Sequence, residues 1–370
     1  MYSQNDLDEA VVAGALSADA AASLRAFVDS QRASPAADEE NFRLITGFND
    51  IFVSIASAIL LFAVGWIGQS IGQSMGLIVN EHGSDGPSFL APAAIAATAW
   101  GLALFFTAKR RMALPSILLL LSFVGGVFAT AALTIGSVIG AAFFENNEPA
   151  VGIVVAASAA IAALGAWMHW KQFRVPITIA AGAAAVVGMA MGFLAYVIGN
   201  LPNREDILLG FVLVLGIGVF LFAMRWDSSD PARVTRRSDV AFWLHLLAAP
   251  MIVHPVFTLL GLNDGTATIS EGLIVIALYV VLGITALAID RRALLVSALA
   301  YVLYALSELF KQVGAVELNI ALTALVIGSA LLLLSAFWHQ SRSLVVRQLP
   351  EALKAKLPLI DRQATPQPAA

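Results

Sequence analysis

Ten continuous apolar stretches, each about twenty residues long, follow one another through most of this sequence. Roughly 20 apolar residues at about 1.5 Å rise per residue are needed for a helix to cross a hydrocarbon layer about 30 Å thick. Inside a bilayer every backbone N–H and C=O must be paired within the protein, which leaves only helices or closed barrels. Because apolar and polar residues do not alternate, the pattern predicts an all-α, polytopic bundle. The predicted spans are residues 50–72, 88–108, 113–135, 149–168, 175–198, 206–225, 239–262, 270–289, 292–312 and 317–338.

Composition agrees with this fold class and narrows the chemistry. Of the 370 residues 59% are hydrophobic and 12% charged, against about 25% charged in an average soluble domain. The absence of cysteine excludes disulfides, thiolate metal sites and cysteine nucleophiles. A net charge of −4 without a basic tract predicts no nucleic-acid partner. We find no phosphate-binding glycine loop, HExxH motif, nucleophile elbow or pair of buried carboxylates, so no enzyme, cofactor or metal is predicted.

Basic residues fix the expected orientation, because Lys and Arg are retained on the cytoplasmic side during insertion. All 21 except Arg204 and Lys311 fall on the two termini or on alternate connections. Ten spans with both termini cytoplasmic follow from this separation. The opposite side is acidic, which fits either a rim that attracts cations or the mere exclusion of basic residues. Five tryptophans are predicted to anchor the span ends at the membrane interface: Trp167, Trp170, Trp226, Trp243 and Trp338.

The polar termini flank this bundle, which covers residues 47–338. Residues 1–46 predict a cytoplasmic helical hairpin and linker, in which Gly14 ends one helix and Ser17 caps the next. A hairpin of this size buries too little to fold alone, so we expect it to contact the bundle, another copy or a protein partner. Its polar, acidic composition does not predict a cleaved signal peptide. Residues 339–370 predict a partly disordered cytoplasmic tail with one helix around 349–357.

Ionisable residues inside a span are the candidates for function, because they are costly to insert. On the ninth span, Ser297, Tyr301, Tyr304, Glu308 and Lys311 fall within an arc of about 80° at 100° per residue. Such a face could line a polar path in which Glu308 binds an ion or proton. It could equally be a packed helix interface with an ion pair between Glu308 and Lys311.

The seventh span carries His245 and His254, together with Pro250 and Pro255. Nine residues apart on an ideal helix, the two imidazoles lie on opposite faces and do not form a metal pair. Prolines at membrane depth leave backbone carbonyls without partners, as in the broken helices of transporters. We therefore expect His254 to face the bundle interior near the ninth span and to join the polar path.

Small and amide-bearing residues cluster at the end of the first span. Gln69 and Gln73 share one face and predict either close packing or an amide-lined outer vestibule. Glycines spaced four apart predict grooves that admit a neighbouring backbone. They are Gly68, Gly72 and Gly76; Gly136 and Gly140; and Gly188 and Gly192.

The segment Ala13-Gly14-Ala15-Leu16-Ser17-Ala18-Asp19, followed by Glu40-Asn41-Phe42-Arg43, resembles a group of uncharacterised bacterial predicted membrane proteins. These open with a short helix pair around a Gly-x-Leu/Ile-Ser turn and continue into eight or more spans. The resemblance implies a bacterial inner-membrane protein. The architecture is also similar to the drug/metabolite transporter superfamily, built from two inverted five-helix halves. No internal repeat is visible here between residues 50–198 and 206–338.

Two functional hypotheses follow. The first is a non-enzymatic integral membrane protein whose cytoplasmic termini bind a protein partner or a second copy, with the lipid bilayer as its environment. The alternative is a secondary transporter or channel for a small solute. That alternative would use the polar residues Tyr301, Tyr304, Glu308, Lys311 and His254.

Overall fold

The structure is a computed structural model, and it describes residues 10–24, 48–79, 86–140, 147, 149–231, 233, 235–260, 269–312, 318–354 and 357–358. Within the helices it does not describe the side chains of residues 269, 271, 293, 308, 309, 311, 312 and 319. The chain divides into two units, of which the larger runs from Leu44 to Ile360.

Each of the ten predicted spans contains a helix. The ten helices are α1 (Phe48–Ser74), α2 (Leu90–Phe106), α3 (Ala113–Ile139), α4 (Ala150–Phe173), α5 (Ile177–Ile198), α6 (Arg204–Ser228), α7 (Arg236–Leu259), α8 (Ile269–Ile289), α9 (Ala293–Gln312) and α10 (Asn319–Ala336). No strand occurs in the described part of the chain. The all-α fold class is therefore confirmed.

Length and apolarity support a smaller number of membrane crossings than ten. Among the described residues, seven helices are long and apolar enough to cross a bilayer. An eighth crossing is possible if α10 and the next helix, α11 (Trp338–Arg347), form one span, although they meet at a bend of 75°. The helix α2 and the apolar part of α9 are shorter. These properties fit a multi-pass integral membrane protein.

The C-terminal region is more ordered than its sequence predicts. The helix α11 has no counterpart in the prediction, which placed a single helix around residues 349–357. A one-turn helix, α12 (Glu351–Lys354), does lie in that range. The strongly amphipathic α11 packs on α8, so apolar residues of the tail help to cover the main bundle.

Helices that follow one another in the chain pack side by side, as short connections require, except that α7 and α8 do not pack closely along their described residues. The helix α7 lies at the centre of the C-terminal half, because it contacts α5 and α9 as well as α6. Its fully buried positions are small or aliphatic over most of its length. They include Val240, Ala241, Leu244, Ala248, Ala249 and Val253.

One end of the bundle collects the arginine-rich connections, and we call it the basic end. Phe106 and Phe173, at the ends of α2 and α4, belong to one apolar cluster. Trp170 and Trp226, near the ends of α4 and α6, pack in another together with Val240 at the start of α7. Polar contacts of the α6–α7 and α8–α9 connections with each other, and with the start of α11, lie at the same end.

Glycines permit two close helix contacts. A Cβ built at Gly72 would overlap the Ser88 hydroxyl, and one at Gly68 would lie 2.8 Å from the carbonyl oxygen of Leu90. The predicted groove on α1 is therefore confirmed at these two positions. A Cβ at Gly192 would lie 2.6 Å from the oxygen of Gly152, where α4 and α5 cross. The backbones of these two helices approach each other most closely at that crossing.

Other predicted glycine contacts are wrong. A Cβ at Gly136 or Gly140 would meet no atom within 4 Å. Gly76 likewise faces open space and, like Gly140, has a positive φ just after its helix. These two glycines follow the ends of their helices with a positive φ, which residues with a side chain rarely adopt.

The described part of the N-terminal unit contains the predicted turn. Gly14 has a φ of +69° and its N–H donates to the carbonyl of Val11. The hydroxyl of Ser17 accepts a hydrogen bond of 3.2 Å from the backbone N–H of Ala20. The helix terminator and the N-cap predicted at these residues are confirmed.

Candidate functional site

The site with the most buried charge lies at the basic end, around Asp227. This carboxylate, on the last turn of α6, is 1% exposed. Its Oδ1 accepts a hydrogen bond of 2.6 Å from Nη2 of Arg291, and its Oδ2 lies 3.0 Å from Nε2 of His245. The same Arg291 Nη2 donates to the carbonyl of Ser238 at 3.1 Å. One carboxylate thus joins α6 to α7 and to the α8–α9 turn.

The protonation of His245 follows from its partner. An ionised carboxylate only accepts hydrogen bonds, so Nε2 of His245 must carry the proton that Asp227 accepts. In the neutral imidazole Nδ1 is then an acceptor. Nδ1 is buried and has no hydrogen-bond partner among the described residues, and the ring edge meets Phe220. His245 is therefore a buried base with one nitrogen engaged by a carboxylate.

A second buried carboxylate, Asp290, binds other members of the same cluster. It follows the last residue of α8 with a φ of +57°, in the left-handed region. Its Oδ2 accepts a hydrogen bond of 2.7 Å from Nη1 of Arg233, and its Oδ1 one of 2.7 Å from the indole N–H of Trp338. Nε of Arg342 lies 3.7 Å from Oδ1. Arg342 also donates at 2.6 Å to the carbonyl of Pro358, which ties the tail to this point.

Burial and charge act in opposite directions on these groups. Burial lowers the pKa of Arg233 to about 10, the neighbouring Arg291 adds to the decrease, and the carboxylate of Asp290 opposes it. Burial alone would raise the pKa of Asp290. The guanidiniums of Arg233 and Arg342 and the indole N–H of Trp338 outweigh burial and hold that pKa below its usual value. Both groups are therefore charged at neutral pH.

The third carboxylate shapes the α6–α7 connection. Asp230 accepts hydrogen bonds from the backbone N–H of Thr235 at 2.9 Å and from its hydroxyl at 2.7 Å. The same hydroxyl of Thr235 caps α7 by accepting from the N–H of Arg237. An aspartate and an N-cap together fix where α7 begins, and hence where His245 lies.

The buried cluster contains equal numbers of opposite charges: Asp227, Asp230 and Asp290 against Arg233, Arg291 and Arg342. With His245 neutral these six groups carry no net charge. The expectation of no pair of buried carboxylates was wrong. Removing one partner from such a set leaves an uncompensated buried charge, so its members stabilise the fold mainly by compensating one another.

Among the described residues there is no group of three His, Asp or Glu side chains placed to hold a metal ion. The arrangement can do two things chemically. It can hold the end of α6, the α8–α9 turn and the tail together, and Nδ1 of His245 can accept a proton. Protonation would give the balanced cluster one net positive charge.

Parts of the predicted polar path meet elsewhere. Nδ1 of His254 lies 2.5 Å from the hydroxyl oxygen of Tyr301, so α7 and α9 are joined at this point. The ring of Tyr301 stacks on Phe257. His254 contacts the ninth helix, as expected, and it is exposed; whether it lines a polar path stays a prediction. Tyr304 is also exposed.

The side chains of Glu308 and Lys311 lie outside the described residues, although their backbone belongs to α9. The predicted ion pair and ion-binding role therefore stay predictions. The two histidines of α7 have separate partners, Asp227 for His245 and Tyr301 for His254.

The predicted vestibule residues differ in their surroundings. Nε2 of Gln69 donates to the carbonyl of Gly86 at 3.0 Å, and its Oε1 accepts from the N–H of Ser88 at 2.9 Å. This amide fixes the chain that enters α2, which agrees with close packing. Gln73 is exposed.

The sequence did not predict the burial of two further side chains. Trp338 was predicted to be an interface anchor but is 3% exposed and bonded to Asp290. His169 is fully buried among Trp100, Phe123 and Phe173, with Thr178 near its Nδ1. The buried charge cluster did have a signal in the sequence, which is the presence of aspartates in connections otherwise rich in arginine. A basic loop exposed to solvent needs no carboxylate to compensate its charge.

Comparison with known proteins adds no relative to this picture. No family model, no curated protein and no solved structure matches the chain.

Proposed function

We propose that the chain is a non-enzymatic, multi-pass protein of the bacterial inner membrane with ten spans, both termini cytoplasmic and terminal segments that bind a protein partner or a second copy. The charge cluster would serve as the rigid closure of its cytoplasmic end.

The gathering of the basic connections at one end carries this proposal. Residues 227–238 contact residues 289–291, and both lie beside Trp338 and Arg342. The pair α7 and α8 therefore leaves the basic end and returns to it, and so does the pair α9 and α10. Alternation of this kind, with arginines on the shared side, is what retention of basic loops in the cytoplasm would produce.

The chemistry of the cluster supports a structural role over a catalytic one. Asp227 and Asp290 each bind an arginine at 2.6–2.7 Å. Asp227 also contacts His245, and Asp290 also contacts Trp338 and Arg342. Groups committed to one another in this way are not directed at a substrate. A general acid or base must lie within reach of a reacting group.

Reporter fusions test the orientation. We expect green fluorescent protein joined after Pro231, in the α6–α7 connection, to fluoresce, and alkaline phosphatase joined there to be inactive. The reverse is expected for fusions after Pro202, in the α5–α6 connection. Phosphatase activity at Pro231 would reject the proposed orientation.

The N-terminal hairpin supplies the test of partner binding. Val12 is 89% exposed beside the turn, so its side chain is accessible to a partner surface. A photo-crosslinking amino acid at position 12 should give, in cells, one adduct of defined mass. The exposed Asp19 on the second helix of the hairpin is the matched control position. Equal labelling at both positions would contradict a specific contact through Val12.

One observation favours the alternative of a secondary transporter. The His254–Tyr301 contact joins α7 to α9 between Pro250 and Pro255, the two positions of α7 without a backbone N–H. Vesicles containing the His254→Ala or Glu308→Gln variant should then lose ion-coupled solute uptake. Unchanged uptake across a broad panel of solutes would remove this candidate.

A further inference from the structure

An open groove of about 560 Å³ lies at the basic end, outside the buried cluster. It is lined by Phe222, Arg225, Trp226, Ser228, Ser229 and Arg237. Both arginines are exposed. We propose that this groove binds the headgroup of an anionic phospholipid, and the proposal rests on the membrane placement proposed above.

The two arginines of the groove differ from those of the cluster. Arg233 and Arg291 are each committed to a buried carboxylate. Arg225 and Arg237 have no ion-pair partner within the described ranges of the chain. Two guanidiniums that line one groove and have no carboxylate partner among the described residues attract an anion, and guanidinium groups bind phosphate through strong hydrogen bonds.

The two serine hydroxyls of the groove can accept hydrogen bonds from the rest of a headgroup. Those of Ser228 and Ser229 donate to the carbonyls of Arg225 and Trp226, so their lone pairs remain available to headgroup hydroxyls or amines. The rings of Phe222 and Trp226 meet edge to face at 6.2 Å between their centroids. Aromatic side chains at a span end are typical of the interface where phospholipid headgroups lie.

The surface below the groove favours a lipid over a soluble anion. Val214, Ile217 and Leu221 are exposed and follow the i, i+3, i+7 spacing that leads up α6 to Arg225. Gly218 lies in the same stripe with no atom within 4 Å of a built Cβ, which leaves a shallow track. Of the candidate spans, α6 is the least buried, because only 11% of its most apolar stretch is covered by the rest of the protein. Acyl chains can therefore lie on α6 while the phosphate reaches Arg225 and Arg237.

Native mass spectrometry of the full-length protein in mild detergent tests this assignment. Phosphatidylglycerol and phosphatidylcholine with the same acyl chains are titrated separately. We expect phosphatidylglycerol to be retained in preference. The double variant Arg225→Gln/Arg237→Gln should weaken its apparent affinity about tenfold or more, because each basic side chain near the surface contributes to the attraction of anionic lipid.

The matched control is Arg236→Gln/Arg347→Gln, which removes the same charge from two exposed arginines outside the groove. We expect less than a twofold change there, and substantial recovery in Arg225→Lys/Arg237→Lys. Thermal melting checks that each variant is folded, and the lysine variant keeps the test valid if the glutamine variant unfolds.

Equal loss in the groove and control variants would overturn the proposal. So would retention of inorganic phosphate or glycerol phosphate as tight as that of phosphatidylglycerol, since the ligand would then be a soluble anion. A dimer whose copies crosslink through position 222 would show that a second copy covers this face. Lipid retention in detergent does not depend on orientation, whereas the fusions after Pro231 report only orientation. The two proposals can therefore fail separately.

Discussion

At the residue scale, the protein depends on carboxylates that compensate buried arginines. Asp227 is the clearest case, because it bonds Arg291 and His245 at the meeting of three helix ends. We expect Asp227→Asn to destabilise the fold by about 3–5 kcal/mol, the usual result of leaving one buried charge without its partner. Thermal unfolding in detergent measures this.

Asp206→Asn is the control for Asp227→Asn. Asp206 lies on the first turn of the same helix and is exposed. Its substitution should cost no more than about 0.5–1 kcal/mol, since it loses only a favourable position near the helix dipole. Comparable losses in the two variants would show that the Asp227 cluster is not a stabilising unit.

The second carboxylate predicts a pH dependence. The pKa of Asp290 is lower in the folded protein than its ordinary value of 3.8. Its ionised form therefore stabilises the fold fully above about pH 4, and the stabilisation is lost as the pH falls from 3.8 through the folded pKa. Wild type should exceed Asp290→Asn in melting temperature by a constant margin at neutral pH. The margin should shrink below pH 4, and a margin that grows on acidification would contradict the compensation by Arg233.

At the element scale, two glycines with the same spacing in the sequence differ in how closely the neighbouring helix approaches them. Gly188 and Gly192 were both predicted to pack closely, and both lie on α5 facing α4. A Cβ at Gly188 would meet the Cβ of Ala159 at 3.6 Å, an ordinary contact, whereas at Gly192 the neighbours are backbone atoms of α4. The spacing of the two glycines identified the face of α5 that packs on α4. How closely the backbones approach depends on where the two helices cross, and a local sequence pattern does not determine that point.

The reciprocal position on α4 provides the test. A Cβ at Gly152 would lie 2.5 Å from the oxygen of Gly192 and 2.7 Å from the N of Tyr196. Because backbone atoms cannot rotate away, Gly152→Ala should destabilise by about 1–3 kcal/mol through forced separation of the helices.

Gly188→Ala, at the same interface, should be neutral or stabilise by up to about 1 kcal/mol, the gain of replacing glycine within a helix. Melting temperatures in one detergent compare the two. Similar destabilisation by both substitutions would mean that α4 and α5 do not cross at Gly152.

At the scale of the whole molecule, the helices could be predicted from the sequence, but the buried charge cluster that joins their ends could not. Span positions follow from the length of apolar runs, a local property. The cluster joins residues far apart in the chain, such as Asp227 with Arg291 and Asp290 with Trp338. Counting basic residues for orientation treats them all as solvent-facing, so Arg233 and Arg291 were placed in loops without a hint of burial. The helix α11 was missed because its polar face resembled a tail.

That helix makes the C-terminal region part of the bundle, and truncation can measure its contribution. Ending the chain after Ala336 removes Trp338 and Arg342, two of the three side chains that face Asp290. It also uncovers Leu287 and Ile289, which pack in one apolar cluster with residues of the tail. Burying a side chain of this kind contributes about 1.5–3 kcal/mol, so we expect a loss of several kcal/mol, seen as a large fall in melting temperature and in monodisperse yield.

Ending the chain after Ile360 is the control, because it keeps Pro358, whose carbonyl accepts from Arg342. That shorter truncation should melt like the full chain. If the protein ending at Ala336 were equally stable, α6 to α9 would close their basic end without the tail, and Asp290 would need only Arg233. If instead both truncations were unstable, residues 361–370 would contribute to the fold. The expected order, in which only the longer deletion destabilises, would make α11 the last structural element of the bundle and leave the residues beyond Ile360 available for a partner.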